Sequence, residues 1–156
     1  MANAEIKQFM IEDAQIIFRN FAGKEGQYNR AGSRNFAVLI PDEKTAKQML
    51  KDDWNVKYLE PREEGDEPIP YISVEVSYKN RPPRVVMITS NAKTALSEDA
   101  VEVLDYADIM KVDLICNAYD WTVNGKSGVK AYLKSMFVTI DEDYLERKYA
   151  ANDVED

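Results

Sequence analysis

Residues 111–140 read KVDLICNAYDWTVNGKSGVKAYLKSMFVTI, and the fold follows from how this stretch pairs with itself. Asn124-Gly125 is the strongest short-range hairpin signal, because both residue types tolerate the positive φ of a tight two-residue turn. Such a turn pairs residues whose numbers sum to 249. That register sets Ala118 against Ala131, Cys116 against Leu133 and Val112 against Phe137, a row that is apolar on both strands. On the other face it sets Asn117 against Tyr132, Tyr119 against Lys130 and Trp121 against Gly128. A slip of one residue would send every apolar side chain to the wrong face, so one register that sorts both strands is well specified. The expectation is a long β-hairpin over 111–140, with Cys116 inward as a structural residue.

Outward from the hairpin, short strands and turns dominate. Residues 12–21 carry Ile16-Ile17-Phe18 and Arg19-Asn20-Phe21, a β-type run ending at Gly23. A polar loop over 24–32 leads to a second strand, 34–40, with Phe36, Val38 and Ile40 on one face. Asp42 is placed to cap a helix in which Ala46, Met49 and Leu50 repeat at helical spacing. Residues 54–59 read as a third strand, and 60–70, acidic with three prolines, as a loop. Ile72, Val74, Val76 and Tyr78 alternate with Ser73, Glu75 and Ser77 over 71–78. Pro82-Pro83 must interrupt any ladder, since neither can donate to it. Residues 85–89 read as another strand and 97–107 as a short amphipathic helix using Ala100, Val101, Leu104 and Ala107. The class is mainly β, with one or two short helices, and a partly open barrel is favoured over a sandwich.

At 156 residues the chain makes one domain of ordinary size. It has one cysteine and no histidine, which excludes an intramolecular disulfide, the common structural zinc sites and every histidine-based catalytic triad. Lys and Arg total 20 against 28 Asp and Glu, a net charge of −8. The charge is segregated. Residues 141–156 carry a net of −5 as an acidic tail to the domain over 1–140, whereas 78–93 hold Lys79, Arg81, Arg84 and Lys93 with no acid. No apolar run is long enough for a membrane span, and the N-terminus lacks the features of a signal peptide, so an intracellular location is expected.

The outward hairpin face concentrates the chemistry. Tyr119, Trp121 and Tyr132 lie among Lys126, Lys130 and Lys134, rings between cations. Single-stranded nucleic acid requires such a surface, since bases stack on aromatic faces while lysines neutralise the backbone. A covered second core with snorkelling lysines is the alternative use of the same residues. A second group comprises Arg19, Phe21, Lys24, Tyr28, Arg30 and Arg34, with Glu25 as its one acid. Phe21 and Phe36 are also natural core residues. Arg81 and Arg84 flank the rigid Pro82-Pro83 turn, and Lys57-Tyr58 extends the surface from the third strand. The paired carboxylates, Asp52-Asp53, Glu63-Glu64 and Glu98-Asp99, fall in loops and at helix ends, where solvated charge is the ordinary reading. No phosphate loop is present. Neither an enzymatic activity nor a cofactor or metal is expected.

The chain resembles the single-stranded DNA-binding proteins of tailed bacteriophages. The resemblance is carried by Arg19-Asn20-Phe21 with Gly23, Tyr28-Asn29 through Gly32, Arg34 and Phe36, Trp54-Asn55-Val56-Lys57, Arg81-Pro82-Pro83, and Tyr119-Asp120-Trp121 through Gly128-Val129-Lys130-Ala131-Tyr132-Leu133. It implies an OB-fold (oligonucleotide-binding barrel) and a non-enzymatic, sequence-tolerant protein that coats single-stranded DNA during phage replication or recombination in the cytoplasm of the host. It also implies an acidic C-terminus that meets replication partners and competes with DNA. The tail here ends Asn152-Asp153-Val154-Glu155-Asp156, without a terminal aromatic. A homo-oligomer stays open, as does the other reading: a phage structural or protein-interaction module that docks a protein on the aromatic hairpin face.

Overall fold

Asn124 and Gly125 take φ values of 53° and 79°, the doubly left-handed turn their identities call for. The computed structural model describes residues 7–141 apart from 28, 80 and 91, and within it the side chains of 120–123, 126 and 127 are not described. Among the described residues there are nine strands: β1 (Gln8–Ala14), β2 (Ile16–Asn20), β3 (Arg34–Leu39), β4 (Val56–Leu59), β5 (Ile69–Val76), β6 (Arg84–Ile88), β7 (Lys93–Ala95), β8 (Ile109–Val123) and β9 (Lys126–Ile140). Helix α1 (Glu43–Lys51) lies between β3 and β4, and a short 3₁₀ helix, Val101–Asp105, precedes β8.

From the turn to Cys116 the β8–β9 ladder keeps the expected register, including Ala118↔Ala131, Tyr119↔Lys130 and Trp121↔Gly128. Beyond Cys116 it departs by one residue, and Val112 faces Val138 rather than Phe137. A bulge leaves Lys134 unpaired between Cys116↔Leu133 and Ile115↔Ser135. The cause is legible in β9 itself. Ala131 and Leu133 are buried, then Met136 and Val138, so the apolar phase slips across the polar pair Lys134-Ser135. An inserted residue restores the inward face.

The same bulge marks a change of neighbour. Before it β9 runs parallel to β5 (Val74↔Ala131, Glu75↔Tyr132), and after it parallel to β6 (Arg84↔Ser135 to Ile88↔Thr139). Strand order is β1-β8-β9-β5-β3-β2. β1 and β2 are halves of one stretch that bends at Gln15, β1 pairing with β8 and β2 with β3, so the sheet curls back on itself. The Gln15 carbonyl accepts a hydrogen bond from the Leu39 N–H at 2.9 Å at that corner. The architecture is mainly β, an OB-fold-like, partly open five-stranded barrel with β4, β6 and β7 added. Its core holds Phe21, Phe36, Ile72, Leu104, Leu114 and Met136, each less than 2 % exposed or near it.

α1 forms as its sequence predicts. The Asp42 carboxylate accepts from the Thr45 N–H at 2.6 Å, and that bond holds its pKa below the ordinary value. Ala46 and Met49 face the barrel, while Leu50 is largely exposed.

Several boundaries differ from the sequence reading. The first run begins at Gln8 and splits in two. Trp54 makes only an isolated bridge to Val129 before β4, and β5 begins at Ile69, within the expected loop. The segment 97–107 is not an amphipathic α-helix. Its buried residues, Val101 and Leu104, are three apart, the spacing that a 3₁₀ turn stacks on one side.

Candidate nucleic-acid interface

Residues directly opposed in a ladder point to the same face. Asn35, Glu75, Tyr132, Asn117 and Gln8 therefore form one outer row across β3, β5, β9, β8 and β1. Gln8 Nε2 donates to Asn117 Oδ1 at 2.7 Å within it. Beside this row stand Tyr119 and Lys130, paired with each other. The Tyr119 and Tyr132 rings meet edge-on, centroids 5.4 Å apart at 81°, and Tyr119 is 55 % exposed. Lys130 Nζ lies 5.9 Å from the Tyr132 centroid and 3.0 Å from Glu75 Oε1. Both partners of that ion pair are partly solvated, where such pairs contribute little, so Glu75 can yield Lys130 to a phosphate at small cost. The sequence placed Tyr119, Tyr132 and Lys130 on one face, and the structure brings them together there.

Lys57 joins the same face, because it opposes the outward Tyr71 in the β4–β5 ladder. Tyr58 does not. It opposes the buried Pro70 on the other side of β4, and its hydroxyl donates to Glu43 Oε1 of α1 at 3.0 Å. Desolvation, aided by that carboxylate, raises the Tyr58 pKa. Tyr58 braces the helix from the side of β4 opposite to Lys57.

The loop over 21–33 borders the face. Gly23 (φ 70°) and Gly32 (φ 85°) close its neck, with the Gly32 N–H donating to the Gly23 carbonyl at 2.8 Å. A Cβ on Gly23 would stand 3.0 Å from the Gly32 backbone and push it by a few tenths of an ångström, and the positive φ strains any other residue there. Asn29 Nδ2 donates to the carbonyls of Lys24 and Ser33, and Asn29 Oδ1 accepts from Asn35 Nδ2 at 2.6 Å, tying the loop to the outer row. The Asp105 carboxylate accepts from the Phe21 and Ala22 N–H groups at 2.7 and 3.0 Å.

Three candidates of this segment are corrected. Phe21 is fully buried and stacks on Phe36 at 5.2 Å. Arg19 donates to the carbonyls of Leu104 and Ala107, both at 2.7 Å, and so fastens the 3₁₀ segment to the barrel. Arg34 opposes the inward Val76, pairs with Glu98 at 3.2 Å and lies over the Tyr78 ring. These side chains hold the end of the barrel. Lys24 Nζ donates to the Tyr106 hydroxyl at 2.8 Å, which raises the Lys24 pKa, while Arg30 is exposed and its guanidinium has no partner among the described residues.

Arg81 and Lys134 are exposed, the latter at the bulge, and Arg84 lies over Phe137 at 5.7 Å. The ladder positions of Trp121 and Lys126 are described but their side chains are not, and Tyr28 and residues 142–156 lie outside the described residues.

The sequence reading missed the pair Phe18–Tyr71, whose rings meet on this face at 5.9 Å and 73°. No alternating pattern singles Phe18 out: a regular strand would give it the inward face of Ile16, and the register break between Ile17 and Asn20 turns it outward instead. Cys116, by contrast, sits where expected, fully buried, and burial pushes its thiol far above the ordinary range. A chromogenic thiol reagent at pH 8 should label Cys116 only as fast as the protein unfolds. Prompt labelling in native buffer would show that the inward row is accessible.

In barrels of this topology, the face of the second and third strands, bordered by the first and last loops, is where oligonucleotides bind. Here those elements are β3 and β5, the loop over 21–33 and the Asn124-Gly125 turn. A family model described as a phage ssDNA-binding domain matches residues 1–156. No curated protein matches the chain in sequence. Among solved structures, the single-stranded DNA-binding protein from bacteriophage Enc34 is similar, with a TM-score of 0.54 and 10 % identity over 87 % of this chain and 82 % of that one. Its C-terminal truncation gives 0.57 and 11 %, covering 87 % of each chain. Its complex with ssDNA gives 0.55 and 10 %, covering 87 % of this chain and 88 % of the other.

Proposed function

Because the chain belongs to the phage ssDNA-binding domain family, we propose that it coats single-stranded DNA in phage replication or recombination, without sequence preference and without catalysis. The observation that carries the reading is the cluster of Tyr119, Tyr132 and Lys130 on the outer face of β8 and β9, next to β5. Exposed rings stack on any base, each stacked base contributing about 1–3 kcal/mol, and this is why such binding tolerates sequence. Lys130, Lys57, Lys134 and Arg30 supply phosphate contacts around the rings, and Trp121 and Lys126 join the proposed contacts on their ladder positions nearer the turn. Arg81, Arg84 and Lys24 lie at its margins, and Tyr28 joins the proposed contacts on its place in the sequence alone. The acidic segment 141–156, net −5, competes with DNA for these cations and offers itself to replication partners.

Titration of a fluorescent oligo-dT at several salt concentrations tests this. Groove binding gives tight association whose log–log salt dependence has a slope of about −0.7 per phosphate neutralised. Lys130→Ala should flatten that slope, and deletion of 141–156 should tighten binding most at low salt, where screening is weakest. Oligo-dT and a mixed-sequence oligonucleotide should bind alike. Absent or salt-independent binding would overturn the reading in favour of a protein-docking face.

A further inference from the structure

Phe18 stands at the register break of β2, between Ile17, opposite Ala37, and Asn20, opposite Asn35. Its φ is 52°, in the left-handed region, where a bulky side chain is strained. Burial does not offset that strain, since Phe18 is 62 % exposed. The ring instead reaches over β3 to meet Tyr71 of β5 edge-on at 5.9 Å. β2 and β5 are two strand spacings apart, about 10 Å, so the two side chains must lean together above the outer surface of β3. Lys57, beside Tyr71, is exposed and has no partner among the described residues.

We propose that Phe18 and Tyr71 form a second base-stacking platform for single-stranded DNA, with Lys57 as its phosphate contact. This rests on the reading of the outer face as the DNA-binding surface and extends it. Tyr71 and Glu75 lie four residues apart on one face of β5, and Glu75 stands next to Tyr132. The two ring pairs are therefore separated by about 13 Å along the strand. A strand of DNA touching both crosses the sheet from the β8–β9 hairpin to the β2 bulge, over Ser73 and Glu75. Strain retained at an exposed residue is a feature of functional positions, where the surrounding structure holds a side chain out for use.

The test uses the full chain and the variants Phe18→Gly, Phe18→Ala and Tyr119→Ala, with oligo-dT of about 4 and about 16 nucleotides, the span of site sizes for one such barrel. Phe18→Gly should weaken binding of the longer oligonucleotide roughly five- to a hundredfold, the range for one stacked base. The shorter one can occupy either ring pair and should lose less. Glycine is at ease at positive φ, so the urea midpoint of Phe18→Gly should equal or exceed that of Phe18→Ala. If Phe18→Gly binds the long oligonucleotide like wild type while Tyr119→Ala does not, the second platform is overturned and the first stands. A Phe18→Gly variant that fails to fold would make Phe18 a structural residue and overturn the platform as well. If wild type binds neither oligonucleotide, the reading of the whole face falls.

Discussion

Replacing Tyr119 and Tyr132 together by alanine is expected to weaken oligo-dT binding by about 3 kcal/mol, roughly a hundredfold, since each ring is worth about 1–3 kcal/mol as a platform. The two rings touch, so their separate losses will not add. The fold should survive, because Tyr119 is mostly exposed and the lost edge-on contact is worth only about 0.5–1.5 kcal/mol. Tyr119→Phe and Tyr132→Phe keep the ring and should keep the affinity, which separates stacking from any role of the hydroxyls. Trp121, two positions along the same strand, should act in the same direction when replaced by alanine. Because Trp54 is a second emitter, a tryptophan-quenching titration belongs in a Trp54→Phe background. A folded double-alanine variant that binds as well as wild type would remove these rings from the interface.

Phe21→Ala should have the opposite signature. Its ring is enclosed and stacked on Phe36, so its removal leaves a cavity and should lower the unfolding free energy by about 3–5 kcal/mol. Urea denaturation would read this as a lower midpoint with an unchanged slope. The fraction that remains folded should bind oligo-dT as wild type does. Weakened binding without lost stability would restore Phe21 to the interface. Arg30→Ala, on the rim of the same loop, should do the reverse and reduce affinity without moving the midpoint.

These two outcomes also mark where the sequence was informative. Tyr119, Tyr132 and Lys130 could be placed on one face because Asn124-Gly125 pins the register and strict alternation carries it eight residues along each strand. Past Cys116 the alternation on β9 shifts phase, and a rule of period two cannot say that a bulge will absorb the shift. Arg19 and Arg34 of the second segment were illegible for another reason. What Arg34 and Arg19 do is set by Glu98 and the Leu104 carbonyl, 64 and 85 residues away in the chain. No local pattern tells a guanidinium that will meet a phosphate from one that will meet a distant carbonyl. Phe18 was hidden by its own backbone, since a regular strand would have turned it elsewhere.

The bulge at Lys134 has a bearing on how the chain acquires its shape. β9 is flanked by β8 throughout, and by β5 and then β6 on its other edge. It thus joins three other strands, more than all but β5 can match, and it is the last described strand in chain order. In the folded structure β9 fills one edge of β5 and one edge of β6. The barrel closes only through pairings that span more than fifty residues, such as Val74 with Ala131. Non-local pairings of this kind slow folding, because the loop must be closed before the contacts reward it. Closure of the barrel therefore requires β9, because no other strand joins the edge of β8 to those of β5 and β6.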